Sequence, residues 1–435
     1  MLPNSIEYYL IVCMLIVAVA AINNYQTLIL LVASIAFYSV TSQFFVWPLV
    51  LVILITYFGG HSFRKYPEKK EILLALILIG VLTQLALFKY VPGLMLPLGI
   101  SYYTFMAMGY VIDVYRKKLL PANSIIEYAL FVSFFPVITS GPIIRARDFL
   151  AQSKDRLKIT PENFQHGLTL ITIGLIMKLV IADNLAPYVD SIFANPIKFQ
   201  SRDIIFATLA FGIQLYCDFG GYSNIALGTA RMLGFTFPMN FNNPYLAMNP
   251  QDFWHRWNIS LSCWLRDYLY IPLGGNRKGT IRTYSNLLLT MVACGLWHGA
   301  TLNFLLWGAY HGGLLSLHRL IRFPQNRMIS LTGILVTQYL VFIGWLVFKV
   351  DNLNNLEYCL SKFLIPSGFT FIDQIVGGTI IAVLLLLRNK IADNNWMSRI
   401  GSSRPIYWFI YLLIAINLIY WASPVKVTKF IYAGF

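Results

Sequence analysis

The stretch from Tyr8 to Phe63 contains no Lys, Arg, Asp or Glu, and this absence of charge constrains the fold more than any other feature. Because roughly 20 apolar residues are enough for a helix to cross the hydrocarbon core of a bilayer, the stretch has room for two or three crossings. The whole chain is 57% hydrophobic and 12% charged, whereas about 25% charged residues is typical of soluble domains. We therefore predict a multi-pass membrane protein.

Apolar segments of suitable length recur along the sequence and predict an all-α fold. They lie near residues 8–22, 26–40, 44–60, 72–88, 94–112, 126–144, 166–182, 203–217, 284–298, 302–317, 329–348, 374–387 and 406–423. Because glycine and proline interrupt several of them, we expect some to be re-entrant and predict about 11 crossings. The start of the chain lacks the signals of a cleaved secretory leader, so we expect a retained first helix. No long polar segment separates a soluble domain, and we predict a single membrane-embedded domain over residues 1–435.

The net charge of +15 comes from short basic loops rather than from one soluble face. Lys and Arg concentrate in cytoplasmic loops of membrane proteins, so we expect most of these loops to face the cytoplasm. Nucleic-acid binding is not predicted, because no basic domain stands outside the membrane. The loops are "RKYPEKK" (64–70), "YRKKLLP" (115–121), "RARDFLAQSKDRLK" (145–158), "NRKGTIR" (276–282) and "HRLIRFPQNR" (318–327).

The segment from Met248 to Gly279 mixes Trp, Tyr and charged residues and does not have the pattern of a span. At helical spacing, a set of apolar residues falls on one side and a set of polar residues on another. Since Trp and Tyr prefer the level of the lipid headgroups, we predict an interfacial helix followed by a turn at "PLGGN". The apolar set is Phe253, Trp257, Leu261, Trp264 and Tyr268, and the polar set is His255, Asn258, Ser262 and Arg266.

His298 lies in the apolar run "CGLWHGATLNFLLWGAYHG" (294–312), where an ionisable group is costly. A neutral imidazole has one donor and one acceptor and exchanges a proton near neutral pH, so a general base is one interpretation. A hydrogen bond between helices is the other interpretation. His311 and His318 share a helical face, and we expect structural roles for both.

Other chemistry-bearing residues give weaker signals. Asp113 with Arg116 has the spacing of an ion pair at a helix end, and Asp218 precedes "FGGYSN", which is typical of a glycine-rich bend. For these aspartates and Asp183 we expect structural roles. No His, Cys or carboxylate spacing suits a metal, and the five cysteines form no CxxC pair, so we predict neither a metal site nor a disulfide framework.

Six ordered sequence blocks together resemble the membrane-bound O-acyltransferase family, in the bacterial branch of alginate O-acetylation. The similarity covers residues 95–435, whereas the helices within residues 1–90 show it less. The resemblance implies helices around a central tunnel, with the histidine of "WHG", His298, as the essential residue. The blocks are "LPLGISYYTFMAMGYVIDVYR" (96–116), "FVSFFPVITSGPIIR" (131–145), "KLVIADNLAPYVD" (178–190), "QLYCDFGGYSNIALGTARMLGF" (214–235), "DFWHRWNISLSCWLRDYLYIPLGGNR" (252–277) and "GLWHGATLNFLLWGAYHG" (295–312).

The resemblance places a second polar position at Asn258, where the polysaccharide-acylating branch usually has histidine and has arginine at the place of His255. A mechanism with two imidazoles would therefore need His255 as a substitute. We predict that His255, Trp257 and Trp297 contact substrate. The tail "KFIYAGF" (429–435) is similar to a C-terminal F-x-Y-x-x-F signature of envelope-acylating systems, which implies that Tyr432 briefly carries the acyl group. On its residues alone, the tail reads as an interfacial aromatic belt.

The resemblance implies an O-acyltransferase of the cell inner membrane that moves a short acyl group, in our prediction acetyl, to an exported or cell-envelope polysaccharide. The donor would be a cytoplasmic thioester such as acetyl-CoA, with no bound cofactor. A periplasmic SGNH-type acetyltransferase or esterase is the implied partner. Two alternatives are D-alanyl transfer to teichoic acid and a transporter or flippase for polysaccharide precursors, although no internal repeat supports a transporter.

Overall fold

The computed structural model of the protein describes residues 5–321, 327–370, 373, 395–424 and 431. These residues form helices and loops without a strand, which confirms the predicted all-α fold. Two short π-helical turns are present: Ile176–Ala182 connects two helices end to end, and Arg266–Tyr270 follows a helix and leads into a loop. The helices are α1 (Ile6–Ala21), α2 (Gln26–Thr41), α3 (Trp47–Lys65), α4 (Lys70–Tyr90), α5 (Ile100–Tyr115), α6 (Ile125–Ser133), α7 (Phe135–Ile138), α8 (Ala146–Lys154), α9 (Pro161–Leu175), α10 (Asp183–Phe193), α11 (Ser201–Met232), α12 (Pro250–Arg256), α13 (Ile259–Leu265), α14 (Thr280–His298), α15 (Leu302–Leu320), α16 (Arg327–Lys349), α17 (Leu353–Leu364), α18 (Asn395–Gly401) and α19 (Pro405–Ala422).

Within the described ranges, six helical segments are long and apolar enough to cross a bilayer. They confirm a multi-pass membrane protein, while the total of about 11 crossings stays a prediction. The predicted span at 374–387 lies outside the described residues. The six segments are Asn23–Thr41, Pro67–Tyr90, Pro161–Phe193, Ser201–Met232, Leu331–Lys349 and Pro405–Ala422.

The predicted span at 126–144 is wrong as one continuous helix. Helix α6 ends at Ser133, and α7 covers only Phe135–Ile138. The break falls just ahead of Pro136, whose missing N–H and bulky ring exclude it from a helix interior. All four residues of α7 are buried, so this interrupted segment is covered by protein rather than exposed to lipid.

The predicted bend after Asp218 is also wrong, because α11 continues through "FGGYSN" as one helix of 32 residues. The glycines serve close packing instead. A Cβ atom added to Gly221 would lie 2.8 Å from the carbonyl oxygen of Gly174 in α9, and one added to Gly174 would lie 2.5 Å from the carbonyl oxygen of Gly221. Small residues of this kind let the backbones of membrane helices approach closely. The backbones of helices α9 and α11 therefore lie almost in contact.

Helices α14 and α15 form a hairpin that is equally close. A Cβ atom on Gly308 would collide with the backbone of Met291, and one on Gly295 would collide with the carbonyl of Phe304. The turn between the two helices begins at Gly299, directly after His298. The hairpin thus fixes the end of α14, and with it His298, against the first turns of α15.

Candidate active site

His298 is the last residue of α14, and only 3% of its surface is exposed. Aromatic rings surround its imidazole. The ring centres of Trp297, Trp307 and Phe348 lie 4.8, 5.2 and 5.2 Å from that of His298, and the Phe304 ring lies 6.1 Å away. The histidine that the sequence singled out is therefore enclosed by apolar side chains, an environment that favours its neutral form as a proton acceptor.

Lys89 contacts the residue that precedes this histidine. Its ammonium group donates a hydrogen bond to the backbone carbonyl of Trp297 and lies 5.3 Å from the centre of the Trp297 ring. The hydroxyl of Tyr90 donates to the carbonyl of Leu296 at 2.5 Å. The end of α4 thus holds the end of α14. The sequence reasoning missed Lys89, and the only signal was a basic residue at the end of a predicted span.

Trp297 itself is buried between helices. Its ring stacks on Phe105 at 5.6 Å and meets Tyr102 edge-on at 6.2 Å. The residue was predicted to contact substrate; it lies directly beside His298 and helps to form the aromatic enclosure.

Asn258 is buried, with 4% of its surface exposed, and it stands between α12 and α13. Its backbone is left-handed, with φ 40° and ψ 56°. Asn and His are both enriched in this conformation among non-glycine residues, whereas most side chains meet a steric penalty. The loop at Asn240 holds the turn, because its carbonyl accepts from the amide of Ile259 at 2.9 Å and its Oδ1 accepts from the amide of Ser260 at 3.0 Å.

The single interfacial helix predicted for this region is therefore wrong, since the left-handed residue divides it in two. The predicted apolar face is nevertheless present. Phe253, Trp257, Leu261 and Trp264 are all buried, and the Tyr268 side chain is partly buried at the end of the series. The apolar face is kept because the predicted apolar side chains of both short helices point toward the protein interior.

A chain of aromatic rings connects the position of Asn258 with His298. Trp257 precedes Asn258, and its ring lies 4.7 Å from that of Trp345. The Trp345 ring lies 6.1 Å from Phe348, which in turn lies 5.2 Å from His298. The structure thus connects His298 with Trp257, the residue before Asn258, through two intervening rings. Trp257 is part of the cluster rather than of an open surface.

His255 occupies a different environment. Its side chain is exposed and lines a cavity of about 360 Å³ together with Gln251, Arg266 and Arg319. The Trp254 side chain forms another part of the wall; its ring lies 5.7 Å from that of Trp307, which contacts His298. The cavity therefore ends two tryptophan rings away from His298, and His255 is on the cavity side of them.

The cavity has a basic lining. Arg266 forms a 2.8 Å ion pair with Asp267, and this hydrogen bond raises the pKa of the guanidinium, which keeps its positive charge. Arg319 contributes a second cation from the end of α15. Arg319 belongs to the basic sequence segment 318–327, which the positive-inside rule predicts to face the cytoplasm. The arrangement suits an anionic molecule that enters from that side.

His311 lies one turn below Trp307 in α15 and is buried, with ring centres of Trp307 and Trp254 at 4.9 and 5.2 Å. A Cβ atom on Gly344 would lie 2.6 Å from its Nε2 atom. These contacts are those of a packed core residue, as we expected from the sequence. His318 is only half-buried, near the end of the same helix.

Lys178, which the sequence reasoning passed over, forms a buried ion cluster with two of the predicted structural aspartates. Its Nζ atom lies 2.7 Å from a carboxylate oxygen of Asp183 and 2.7 Å from one of Asp218. All three side chains are at most 2% exposed. The glycine-mediated contact of α9 with α11 creates the cluster, because it brings the turn after α9 against the middle of α11.

The remaining predicted pair, Asp113 with Arg116, is wrong. Asp113 accepts a hydrogen bond from the hydroxyl of Tyr268 at 2.7 Å, and Arg116 donates to the carbonyl of Asp267 at 3.0 Å. Both residues reach across to the turn after α13, because that turn packs against the end of α5. Tyr432 lies outside the described residues, whereas the preceding residue, Ile431, is described.

The chain is similar to known proteins over most of its length. The model of the membrane-bound O-acyltransferase family matches residues 76–360. The chain is 40% identical over 344 residues to the probable alginate O-acetylase AlgI of Pseudomonas fluorescens, which covers 76% of the chain and 69% of the relative. It is 31% identical over 437 residues to the peptidoglycan O-acetyltransferase of Helicobacter pylori, covering 89% and 82%.

A more distant relative transfers a different group. The teichoic acid D-alanyltransferase of Streptococcus thermophilus is 28% identical over 363 residues, which cover 72% of the chain and 83% of that protein.

The matched family region includes both Asn258 and His298, together with the cavity that His255 lines. The chain is an integral membrane O-acyltransferase and belongs to the membrane-bound O-acyltransferase family.

Proposed function

We propose that this protein O-acetylates a cell-envelope or exported polysaccharide from within the cell inner membrane. The acceptor class is supported by the alginate and peptidoglycan O-acetyltransferases among its relatives. The observation that carries the proposal is the buried imidazole of His298 at the end of α14, enclosed by aromatic rings and approached by a basic cavity.

The donor in this proposal is a cytoplasmic thioester such as acetyl-CoA. The cations of Arg266 and Arg319 are suited to the phosphate groups of such a donor, because guanidinium groups bind phosphate oxygens through charge-assisted hydrogen bonds. The apolar walls supplied by Trp254 and Met291 suit the uncharged arm that ends in the thioester. The acetyl group would then arrive beside Trp307 and His298.

In the chemical step, His298 accepts the proton of the attacking hydroxyl while the oxygen bonds to the acetyl carbonyl carbon. The carbon–sulfur bond then breaks, and the thiolate leaves and takes up the proton from the imidazolium. The hydroxyl belongs to Tyr432 in a relay, from which the acetyl group passes to the acceptor. General-base catalysis of this kind contributes about 10²–10⁴-fold.

Asn258 supplies an amide donor in the proposal, to orient the acyl carbonyl or to stabilise its oxyanion. For this role the acyl carbonyl must lie within hydrogen-bond reach of the Asn258 amide. A periplasmic SGNH-type acetyltransferase or esterase would take the acetyl group onward to the polysaccharide. D-alanyl transfer is the second candidate, supported by the teichoic acid D-alanyltransferase relative.

The test is polymer acetylation by membranes that contain the His298→Ala or His298→Gln variant. Both should lose acetylation while the protein accumulates to normal levels, because they remove the imidazole that acts as the general base in this proposal. His318→Gln, at the far end of α15, is the matched control and should retain activity. Full acetylation by the His298 variants would refute the assignment. Labelled acetyl and D-alanyl donors, supplied in parallel to wild-type membranes, distinguish the two transfer reactions.

A further inference from the structure

The buried ion cluster has a second connection, to the C-terminal segment. The backbone amide of Ile431 donates a hydrogen bond to Oδ2 of Asp218 at 2.7 Å. The other oxygen of this carboxylate, Oδ1, lies 2.7 Å from the Nζ atom of Lys178. Asp218 therefore uses one oxygen to hold the lysine and the other to hold the tail.

The cluster has two carboxyl groups and one amine, so a carboxyl oxygen is left to accept such a donor. One ammonium group faces two carboxylates, those of Asp183 and Asp218, and all three are almost completely buried. A buried carboxylate requires hydrogen bonds to both oxygens, since an oxygen left without a partner is costly in a region of low dielectric constant. The Ile431 amide supplies one of these bonds, so the tail completes the polar network.

The segment has a second described attachment. Helix α19 ends at Ala422, whose carbonyl accepts a hydrogen bond from Asn184 at 2.7 Å. Asn184 directly follows Asp183 of the ion cluster. Ala422 is thus bonded to the neighbour of one member of the network, and Ile431 is bonded to another member. Both attachment points belong to the bundle that α9, α10 and α11 form.

We propose that Asp218, held in place by Lys178, is the anchor that holds the chain at Ile431 against α11, and that the acyl relay at the next residue, Tyr432, depends on this anchor. The second half of the inference rests on the proposed acyl relay. Asp218 and Lys178 are positioning residues, which act on the reaction through the tail.

Two substitutions of Asp218 separate the hydrogen bond from the charge. Asp218→Asn and Asp218→Leu both give a side chain that branches at Cγ, and both leave Lys178 paired with Asp183. Only Asn keeps an oxygen that accepts the Ile431 amide. Gln214→Leu is the matched control, because Gln214 is a buried polar residue one turn earlier in α11.

The anchor is measured by the rate at which a maleimide labels the Ile431→Cys variant, which retains the backbone amide. The native cysteines are first replaced by alanine, and the resulting protein is checked for acetylation. They are Cys13, Cys217, Cys263, Cys294 and Cys359. Losing a charge-assisted hydrogen bond should raise the labelling rate in Asp218→Leu by about tenfold or more. Asp218→Asn and Gln214→Leu should label at the rate of the parent protein.

The same variants, without the label, are assayed for acetylation. Asp218→Leu should lose most activity, and Asp218→Asn should recover it; a merely structural role would not make activity follow the acceptor oxygen. Unchanged labelling in Asp218→Leu, or unchanged acetylation despite faster labelling, overturns the inference. Tyr432→Phe distinguishes the relay from the anchor. It should abolish acetylation and leave labelling at residue 431 unaltered, and retained acetylation would reject the relay alone.

Discussion

The ammonium group of Lys89 lies 5.3 Å from the centre of the Trp297 ring, one residue before His298. This contact ties the end of α4 to the end of α14 at the point where chemistry is proposed. A hydrogen bond from Lys89 to the Trp297 carbonyl accompanies it. The position of His298 therefore depends on the end of α4, which lies within the matched family region.

Replacement of Lys89 by methionine should lower acetylation about tenfold to a hundredfold, because small displacements of a reacting group have effects of this size. Methionine keeps the apolar stem and removes the donor that holds Trp297. The rate of acetyl transfer is measured with protein matched for its level in the membrane. Lys69→Met, at an exposed position before α4, is the control. Equal rates for both variants would contradict a role for this contact.

Variants at Asn258 should separate its backbone role from its side-chain role. Asn258→Gly accepts the left-handed conformation without strain and removes the amide, so a fall of about 10²–10³-fold in kcat would indicate a donor to the oxyanion. Asn258→Ala should show a further loss of stability of about 1–2 kcal/mol from its positive φ. Asn258→His fits the same conformation and should retain partial activity. If the glycine variant turned over at the normal rate, the side chain would have no part in the chemistry.

Removal of Arg319 should weaken donor binding more than turnover. Arg319→Ala removes one cation from the cavity wall, and we expect KM for acetyl-CoA to rise about tenfold while kcat changes little. Steady-state kinetics with the purified protein give both constants. Arg282→Ala changes an exposed arginine near the start of α14 that does not line this cavity. If the donor binds elsewhere, the two variants will have the same KM and the same kcat.

Gly221 should not tolerate a methyl group. A Cβ atom there would lie 2.8 Å from the Gly174 carbonyl and 3.1 Å from the amide of Lys178. Gly221→Ala should therefore destabilise the protein by about 1–3 kcal/mol, as overpacking does. Gly80→Ala, where a Cβ atom would meet nothing within 4 Å, should instead be neutral or stabilising by about 0.5–1 kcal/mol. Thermal unfolding in detergent, followed for both variants, compares them; similar midpoints would argue against close packing of α9 and α11.

The all-α membrane fold and the prominence of His298 could be predicted from the sequence, because both depend on local composition. A histidine within an apolar run is visible without knowledge of its neighbours. The ion cluster was not predictable in the same way. Lys178 and Asp218 are 40 positions apart in the numbering and meet only because of how α9 packs on α11.

Asn258 shows a different limit. No glycine or proline next to Asn258 indicates that its backbone is left-handed. The spacing of the apolar residues around Asn258 therefore predicted one uninterrupted helix. The predicted apolar face is correct, whereas the predicted single helix is wrong. The spacing of apolar residues indicates which side chains are buried, but it does not indicate where the backbone turns. For the segment after Asp218 the prediction failed in the opposite way, because a bend was predicted where the helix is continuous. Glycines that serve contact between helices look the same in sequence as glycines that bend a chain.

The ring of aromatic side chains around His298 also bears on the yield of the reaction. Water competes with any alcohol for an activated acetyl group, and its attack would release free acetate and waste the thioester. Trp297, Trp307 and Phe348 leave 3% of the His298 surface accessible, and exclusion of solvent suppresses such hydrolysis. The enclosure therefore favours one ester bond formed for each thioester consumed.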